Sequence, residues 1–322
     1  MTLAPLVAGA AGRGVLSAEL FPYRTPAGRD ALWDTVSQLA SAGPDFFSVT
    51  YGAGGGTRTS SREVLAHVLR ETPVTAVAHL TCVGLSRREV VDLAGEFLDA
   101  GVRNLLALRG DPPEGAQGWA PHPDGVHRAS DLVELLQVAD RRRLALRGGT
   151  RPVDEGPLSL AVAAFPRDRG VDSLAALRAK QDAGAHFALS QVCYSATEYA
   201  TFLDRARAAG VTIPVVPGVV AATDPARLLR LQQLTGVPVP RELLARLDAV
   251  AEHGEAARRR AGTAWSLGLA RRLLDVGAPG LHLYPFNSAP AALDLIEGLP
   301  SSPTTAHAPA RRAAPAPLGA LL

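Results

Sequence analysis

The sequence predicts an α/β protein whose eight parallel strands close into a (β/α)8, or TIM, barrel. Short apolar runs rich in β-branched residues alternate with longer stretches of helical period, as in a parallel sheet with crossover helices. Eight such runs occur, which is the number that a closed barrel needs. No glycine-rich dinucleotide fingerprint follows the first run, so a doubly wound open sheet is the weaker interpretation.

The predicted strands, in chain order, cover residues 15–21, 45–51, 74–82, 104–108, 158–165, 187–193, 213–219 and 281–286. The helices between them have recognisable ends. Capping boxes, in which a serine and a glutamate three positions later bond the first backbone N–H groups, predict three helix starts. They pair Ser60 with Glu63, Ser86 with Glu89, and Ser195 with Glu198. Asp224 before Pro225 predicts a fourth start, and Gly101, Gly184 and Gly210 predict helix ends.

We expect one catalytic barrel over residues 15–300, with an N-terminal lead at 1–14 and a disordered, Ala/Pro-rich tail at 301–322. The stretch 224–277 holds more than one helix, so an extra helical segment is predicted after the seventh strand. Residues 141–156 are basic, rich in glycine and longer than a simple connection needs. They are interpreted as a surface insertion.

Charge and cysteine content argue against several functions. The 33 Lys+Arg and 31 Asp+Glu residues leave a formal net charge of +2, so the pI of about 8.7 does not indicate a nucleic-acid partner. The arginine runs at 141–143 and 258–260 are interpreted as solvated helix faces. Cys82 and Cys193 form no CxxC pair and are interpreted as buried, inert thiols, so no metal site is expected.

The N-terminus lacks the basic start and apolar core of a signal peptide, and no apolar run approaches the roughly 18 residues of a membrane span. We therefore expect a soluble, cytoplasmic protein without a membrane partner. The sequence leaves the oligomeric state open and allows a homo-oligomer.

Chemistry-bearing residues collect at the ends of the predicted strands, where a barrel of this class places its active site. Glu19 is an acid in an otherwise apolar strand, and we expect burial to raise its pKa so that it stays protonated as a general acid. A structural pair with an arginine is the alternative. Gly110, between Arg109 and Asp111, lets the backbone approach a ligand, although these charges also fit a structural ion pair.

Two further features are weaker by themselves. His79 lies in the third strand and is on its own compatible with a core histidine whose hydrogen bonds are satisfied. The glycine-rich run 52–56 fits an anion cradle of backbone N–H groups, but a glycine loop alone has little specificity.

Taken in order, these segments resemble the methylenetetrahydrofolate reductase family. The most specific matches are SAELFP at 17–22, PDFFSVTYGAGG at 44–55, AHLTCVG at 78–84, NLLALRGDPP at 104–113 and ASDLV at 129–133. Weaker similarity continues through KQDAGA at 180–185, Ser190-Gln191 and Pro217-Gly218, so the resemblance covers roughly residues 15–298.

The resemblance implies reduction of 5,10-methylenetetrahydrofolate to 5-methyltetrahydrofolate, with FAD passing on hydride from NADH or NADPH. It implies that Glu19 is the general acid for ring opening and that the charge of Asp111 stabilises the resulting iminium cation. Gln191 would bind the pterin edge. The implied cofactor-binding residues are Thr50, His79, Arg109, Gly110, Phe165, Arg169 and Lys180.

The second half departs from the family pattern. Phe165 stands where a tyrosine is usual, Arg169 where a histidine is usual, and Ser173 where an aspartate is usual. The ends of the seventh strand, Val219-Val220-Ala221, and of the eighth, Phe286-Asn287-Ser288, also differ. Two alternatives therefore stay open beside the flavin-dependent reductase: a flavin-free, NADH-dependent reductase of the same folate, and a non-catalytic folate-binding paralogue.

A phosphate-sugar aldolase on the same fold is a further alternative. Such an enzyme needs a Schiff-base lysine near a strand end, whereas Lys180 is predicted on a helix.

Overall fold

Eight parallel strands close into a barrel in which each strand pairs with the next and β8 pairs with β1. The computed structural model describes residues 1–9, 14–51, 58–111, 120–152, 155–168 and 171–299. The strands are β1 Val15–Leu20, β2 Phe46–Val49, β3 Thr75–Thr81, β4 Asn104–Leu108, β5 Ser159–Ala164, β6 Phe187–Val192, β7 Val215–Val220 and β8 Gly280–Tyr284. Each lies within, or within one residue of, a predicted run, so the predicted fold class is confirmed.

Helices surround the barrel. They are α1 Ala4–Ala8, α2 Pro26–Ser41, α3 Arg58–Glu71, α4 Arg87–Asp99, α5 Ala129–Leu146, α6 Val171–Asp182, α7 Ala196–Ala208, α8 Pro225–Thr235, α9 Arg241–Asp248, α10 Gly254–Asp275 and α11 Ala289–Glu297, with a 3₁₀ turn at Ala251–His253. Helices α8, α9 and α10 follow β7 in succession, which confirms the extra helical segment. Among the described helices, none is long and apolar enough to cross a membrane.

Three of the four predicted helix starts occur where the sequence placed them. Ser86 and Glu89 form the reciprocal capping box of α4, the Ser195 side chain accepts from the Glu198 N–H at α7, and Asp224 caps α8. The prediction for Ser60 was wrong, because α3 already includes Arg58 and Ser60 is buried inside the helix. Gly101, Gly184 and Gly210 each follow a helix with positive φ, as predicted for helix ends.

The N-terminal end of the barrel is closed by α1. Leu3 and Val7 are buried in a cluster with Phe46 and Phe187, which fill the barrel interior. The backbone N–H of Leu3 donates to Oδ1 of Asn104, at the first position of β4, over 2.9 Å. The first residues of the chain therefore pack into the barrel floor.

The interpretation of residues 141–156 as a surface insertion was wrong for their first part. Residues 141–146 continue α5, and the side chain of Arg143 is only 7% exposed. Arg143 binds Asp99 at 2.7 Å and Glu155 at 2.5 Å, and Arg103 binds the same Glu155 oxygen at 2.6 Å. Buried charges need partners of opposite charge. The segment supplies them in an ion-pair network at the end of the barrel where the strands begin, opposite the usual active-site face.

Candidate active site

A cavity of about 1290 Å³ opens where the strands end at their carboxyl side. Its wall brings together five residues from five different strands or strand ends: Glu19, Thr50, His79, Gln191 and His282. Its rim includes Arg109 and Phe286, and α6 and α8 contribute residues at the sides. This is the face on which barrels of this class carry their catalytic groups.

Glu19 is the acid at the base of the cavity. Its side chain is 12% exposed, and each carboxylate oxygen has its own neighbours. The Thr50 hydroxyl donates to Oε1 at 3.0 Å. Oε2 lies 3.4 Å from Nε2 of His282 and 3.9 Å from Nε2 of His79. Among the residues that the structure describes, two imidazoles and a hydroxyl surround the carboxyl, and no arginine pairs with it.

The expected rise in the pKa of Glu19 was wrong. Burial acts to raise the pKa of this carboxyl, but the hydrogen bond from His282, the charge of His79 and the hydrogen bond from Thr50 lower it below its ordinary value of 4.5. The lowering of the pKa by these three neighbours is thus larger than its rise from burial. Glu19 therefore rests as a carboxylate at neutral pH.

His79 presents an unpaired group to the cavity. It is 4% exposed, and burial lowers the pKa of its imidazole although Glu19 acts to raise it. Among the described residues, none forms a hydrogen bond with its Nε2 atom. A buried polar atom without a partner is uncommon, and this one faces a cavity, so it is available to a bound molecule.

The turn after β4 requires glycine. Gly110 has φ of 82°, and a Cβ atom there would lie 2.6 Å from Cγ1 of Val83. The flanking charges, Arg109 and Asp111, approach to 3.8 Å, with side chains 65% and 95% exposed. Such an exposed pair contributes little to stability, so both charges remain available to ligands at the rim.

Lys180 and Phe165 lie on one side of the cavity. The Lys180 ammonium donates to the Ala163 carbonyl at 2.9 Å and lies 5.8 Å from the centre of the Phe165 ring. Burial, with a smaller contribution from Arg109, lowers the pKa of Lys180 to about 8. The Phe165 ring is 48% exposed, which is high for a large apolar side chain.

Gln191, on β6, lines the cavity. Its carboxamide oxygen accepts from the Val192 backbone N–H at 2.9 Å, which fixes the side chain at the cavity wall. Arg169 and the glycine-rich run 52–56 lie outside the described residues.

His282 is a residue of the cavity wall that the sequence analysis missed. It is fully buried on β8, and it lies between the Glu19 carboxyl and the hydroxyls of Ser17 on β1 and Ser48 on β2. The available signal was a histidine two positions before Tyr284 in the apolar run GLHLY, which places both side chains on the same face of the strand. Both line the cavity.

The residues present fit a flat, anionic dinucleotide. The unpaired Nε2 of His79 offers a polar contact, and Gly110 lets the backbone approach. Lys180, Arg109 and Arg128 supply positive charge at the same cavity. Helix α6 contributes three small side chains to this wall, Ala175, Ala176 and Ala179, together with Asp172 and Lys180. Across the part of the chain that the structure describes, no three His, Cys, Asp or Glu side chains gather as metal ligands would.

Comparison with known proteins gives a consistent result. A family model described as "Methylenetetrahydrofolate reductase" matches residues 6–300. The chain is similar to the 5,10-methylenetetrahydrofolate reductase of Pectobacterium carotovorum subsp. carotovorum, with 30% identity over 302 residues that cover 92% of this chain and 93% of that protein. It is also similar to the enzyme of the same name from Escherichia coli (strain K12), with 29% identity over 280 residues, 85% of this chain and 86% of that protein.

A longer plant relative and a solved structure extend the comparison. A protein of Oryza sativa subsp. japonica named probable methylenetetrahydrofolate reductase (NADH) is 28% identical, and the match covers 91% of this chain but 49% of that protein. An uncharacterized protein from Clostridium thermocellum, described as binding two copies of 5-methyl-5,6,7,8-tetrahydrofolic acid, matches with a TM-score of 0.60 at 12% identity. The match covers 92% of this chain and 99% of that one, and it shows a shared fold.

Proposed function

Since the chain belongs to the methylenetetrahydrofolate reductase family, we propose that it reduces 5,10-methylenetetrahydrofolate to 5-methyltetrahydrofolate with hydride from NADH or NADPH. The observation that carries this proposal is the Glu19 carboxyl at the base of a large cavity, with separate neighbours on its two oxygens. A binding protein has no need of an acid held in this way. Ring opening of the folate does need one.

In the proposed reaction, Glu19 takes up a proton from solvent as the folate displaces water from the cavity, because desolvation raises the pKa of a carboxyl, and it then gives this proton to N10 of the folate. The bond between N10 and the bridging carbon breaks, its electron pair stays on N10, and the bridging carbon becomes an iminium with N5. Hydride then adds to that carbon and leaves a methyl group on N5. The carboxylate left on Glu19 stabilises the cation across a cavity from which the substrate has displaced water.

We assign supporting roles to two wall residues. Asp111, at the rim, adds negative charge toward the iminium. Gln191, whose side chain is held at the wall by its bond to the Val192 N–H, would bind the pterin edge. Both side chains line the same cavity as Glu19.

We propose that the cofactor is FAD, following the family pattern. The residues proposed to hold it are Thr50, His79, Arg109, Gly110, Phe165, Arg169 and Lys180. When bound, FAD supplies a ring that accepts hydride from the nicotinamide and passes it to the folate. Lys180 and Arg109 give charge for its phosphates, and the unpaired Nε2 of His79 gives a hydrogen-bonding atom.

A flavin-free reductase that binds NADH directly is a second candidate. It is favoured by Phe165, which brings a half-exposed ring and no hydroxyl to the cofactor side of the cavity. The visible absorption spectrum of the purified protein distinguishes the two candidates. A flavin band supports the first candidate, and a colourless protein that still reduces the folate supports the second.

We further propose that the protein works in the cytoplasm. Cys82 and Cys193 are buried free thiols, and burial raises the pKa of both, that of Cys193 to about 11. Such thiols are unreactive and suit a reducing compartment.

The activity is tested by incubating the purified protein with NADH or NADPH and methylenetetrahydrofolate. We expect nucleotide oxidation only when the folate is present, with 5-methyltetrahydrofolate identified by mass spectrometry. Folate binding without this product would support the non-catalytic paralogue and overturn the proposal.

A further inference from the structure

The ring of His282, which approaches the Glu19 carboxyl, is contacted by two aromatic side chains. Its Nε2 atom lies 3.4 Å from Oε2 of Glu19. The Phe46 ring stacks on it, with centroids 6.2 Å apart and an angle of 16° between the planes. The Tyr284 ring meets it edge-on, with centroids 5.1 Å apart. Both separations lie in the range in which aromatic pairs attract each other.

Phe46 reaches the imidazole across a small residue. Ser17 on β1 is the register partner of Phe46 on β2 and also of His282 on β8. Residues in register on neighbouring strands point to the same face of the sheet, which here is the barrel interior. Because the serine between them is small, the two rings come close enough to stack.

Phe46 is itself fixed from the floor of the barrel. It has no exposed surface and belongs to one buried cluster with Leu3, Val7 and Phe187. The Leu3 N–H donates to Oδ1 of Asn104 at 2.9 Å, so hydrogen bonding as well as packing holds this cluster together. Interiors of this kind are close-packed, and a ring enclosed in one keeps its orientation.

Tyr284 is fixed as well. Its hydroxyl donates to the Ser190 carbonyl at 3.0 Å. Gly218 leaves the room that the ring occupies, since a Cβ atom there would lie 2.5 Å from Cε2 of Tyr284. The imidazole is therefore held by two anchored rings, one in the floor cluster and one in the cavity wall.

We propose that Phe46 is a positioning residue for the reaction: its ring fixes His282, and the contact from His282 holds Oε2 of Glu19 in the direction of the folate. The proposal rests on the function proposed above. Phe46 does not line the cavity, so it acts on the reaction only through the imidazole. Leu3 and Val7, at the opposite end of the barrel, take part by keeping Phe46 in place. Such positioning matters because a misplacement of about 1 Å at a reacting group can lower a rate about 100-fold.

The position of His282 also affects the charge of the acid. Burial acts to raise the pKa of Glu19, and the hydrogen bond from His282 is the largest of the interactions that lower it. Among the described residues, the other titratable groups that face the acid are His79 on β3 and Tyr284 on β8. Thr50, which bonds Oε1, does not titrate. A His282 ring that moves away therefore leaves Glu19 with a higher pKa.

The experiment compares Phe46→Leu with the matched control Phe187→Leu. Each change removes a buried ring from the same cluster, but Phe46 stacks on His282, whereas Phe187 contacts Phe46 at 6.3 Å. Both variants should lose Tm to a similar extent, because each leaves a comparable cavity. We expect Phe46→Leu to lose about tenfold in kcat with little change in the KM for the folate. Phe187→Leu should keep the wild-type kcat.

The second measurement is the pKa of Glu19, followed by ¹³C NMR of its side-chain carboxyl without added ligands. We expect Phe46→Leu to raise this pKa by about half a unit or more, and Phe187→Leu to leave it unchanged. This readout does not depend on turnover, so an inactive wild type would refute the proposed function alone.

A wild-type kcat and an unchanged Glu19 pKa in Phe46→Leu would overturn the proposal. Equal changes in Phe46→Leu and Phe187→Leu would also overturn it, because the ring would then be a general support of the core. If Phe46→Leu does not fold, Leu3→Ala makes the test from the floor of the barrel. It should raise the pKa of Glu19 by a smaller amount, and an unchanged pKa there would contradict the proposal.

Discussion

The hydroxyl of Thr50 donates a 3.0 Å hydrogen bond to Oε1 of Glu19, from the residue that follows β2 to the acid on β1. This bond leaves Oε2 to the two histidines. Oε1 of Glu19 is thus held by a hydroxyl, whereas Oε2 faces two imidazoles. The two oxygens of Glu19 are consequently expected to respond differently to mutation of their neighbours.

Thr50→Val removes the donor and keeps the shape of the side chain. Because the Thr50 bond lowers the pKa of Glu19, its loss is expected to raise that pKa. The buried carboxylate also loses a partner, which costs about 1–3 kcal/mol in free energy of unfolding at pH 7. Urea unfolding measures this loss, and Thr50→Ser should recover most of it. Equal stability of all three proteins would show that the bond does not hold Glu19.

Lys180 is expected to make nucleotide binding depend on pH. Its pKa of about 8 means that the ammonium is charged at pH 7 and mostly neutral at pH 9. The affinity for NADH should therefore fall about tenfold as the pH rises between these values, a change equal to about 1.4 kcal/mol. The side chain of Lys180→Arg stays charged, so this variant should bind NADH equally well at pH 7 and at pH 9. Fluorescence titration of NADH checks this; parallel pH dependence in the variant would exclude Lys180 as the cause.

Asn287, which follows β8, forms two hydrogen bonds with Phe21, which follows β1. Its side chain accepts from the Phe21 N–H at 2.9 Å and donates to the Phe21 carbonyl at 2.8 Å. Its φ of 55° follows φ of 51° at Phe286, so two successive residues are left-handed. Asn287→Ala loses both bonds and strains the backbone, and we expect a loss of about 2–4 kcal/mol in free energy of unfolding.

Asn287→Gly is the matched variant, because glycine adopts this conformation without strain. It should be about 1 kcal/mol more stable than the alanine variant. The comparison by urea unfolding separates strain from hydrogen bonding. Identical stability of the two variants would mean that the left-handed conformation costs nothing here.

Glu155 is expected to control acid stability at the other end of the barrel. Burial acts to raise its pKa, but Arg143 and Arg103 lower it below 4.5. The stabilisation is thus present above that value and is lost as the pH falls through the lowered pKa. Glu155→Gln leaves two arginines without this partner and should cost about 3–5 kcal/mol at pH 7.

The thermal midpoints of wild type and Glu155→Gln should therefore converge as the pH is lowered from 7 toward 3. Glu71→Gln, on the exposed pair with Arg70, serves as the control and should change stability little. A gap between the Glu155 variant and wild type that stays constant with pH would contradict this role for the ion-pair network.

The sequence predicted the fold because local patterns report local structure. Alternation of apolar runs and helices, together with caps such as Ser86, depends on neighbours within a few positions. Ser60 misled because α3 starts earlier than its capping pattern suggests. The prediction that Arg143 belongs to a solvated helix face was wrong because its partner Asp99 lies 44 residues away along the chain. The arginine run alone does not reveal such a distant partner.

The cavity residues were predicted in part, because only those within local sequence motifs could be identified. Glu19, Thr50, His79, Gln191 and Lys180 were identified by resemblance, and all line one cavity. His282 was missed because its partner Ser17 is 265 residues away and only closure of the barrel joins β8 to β1. The predicted direction of the Glu19 pKa shift was wrong because the pKa depends on His282 as well as on burial.

The role of Glu19 is tested most directly by Glu19→Gln, which keeps the side-chain shape and removes the proton donor. We measure kcat for 5-methyltetrahydrofolate formation and, separately, the affinity for methylenetetrahydrofolate. The account predicts a fall in kcat of about 10²–10⁴-fold with folate binding retained. A Glu19→Gln protein that forms 5-methyltetrahydrofolate at the wild-type rate would contradict it.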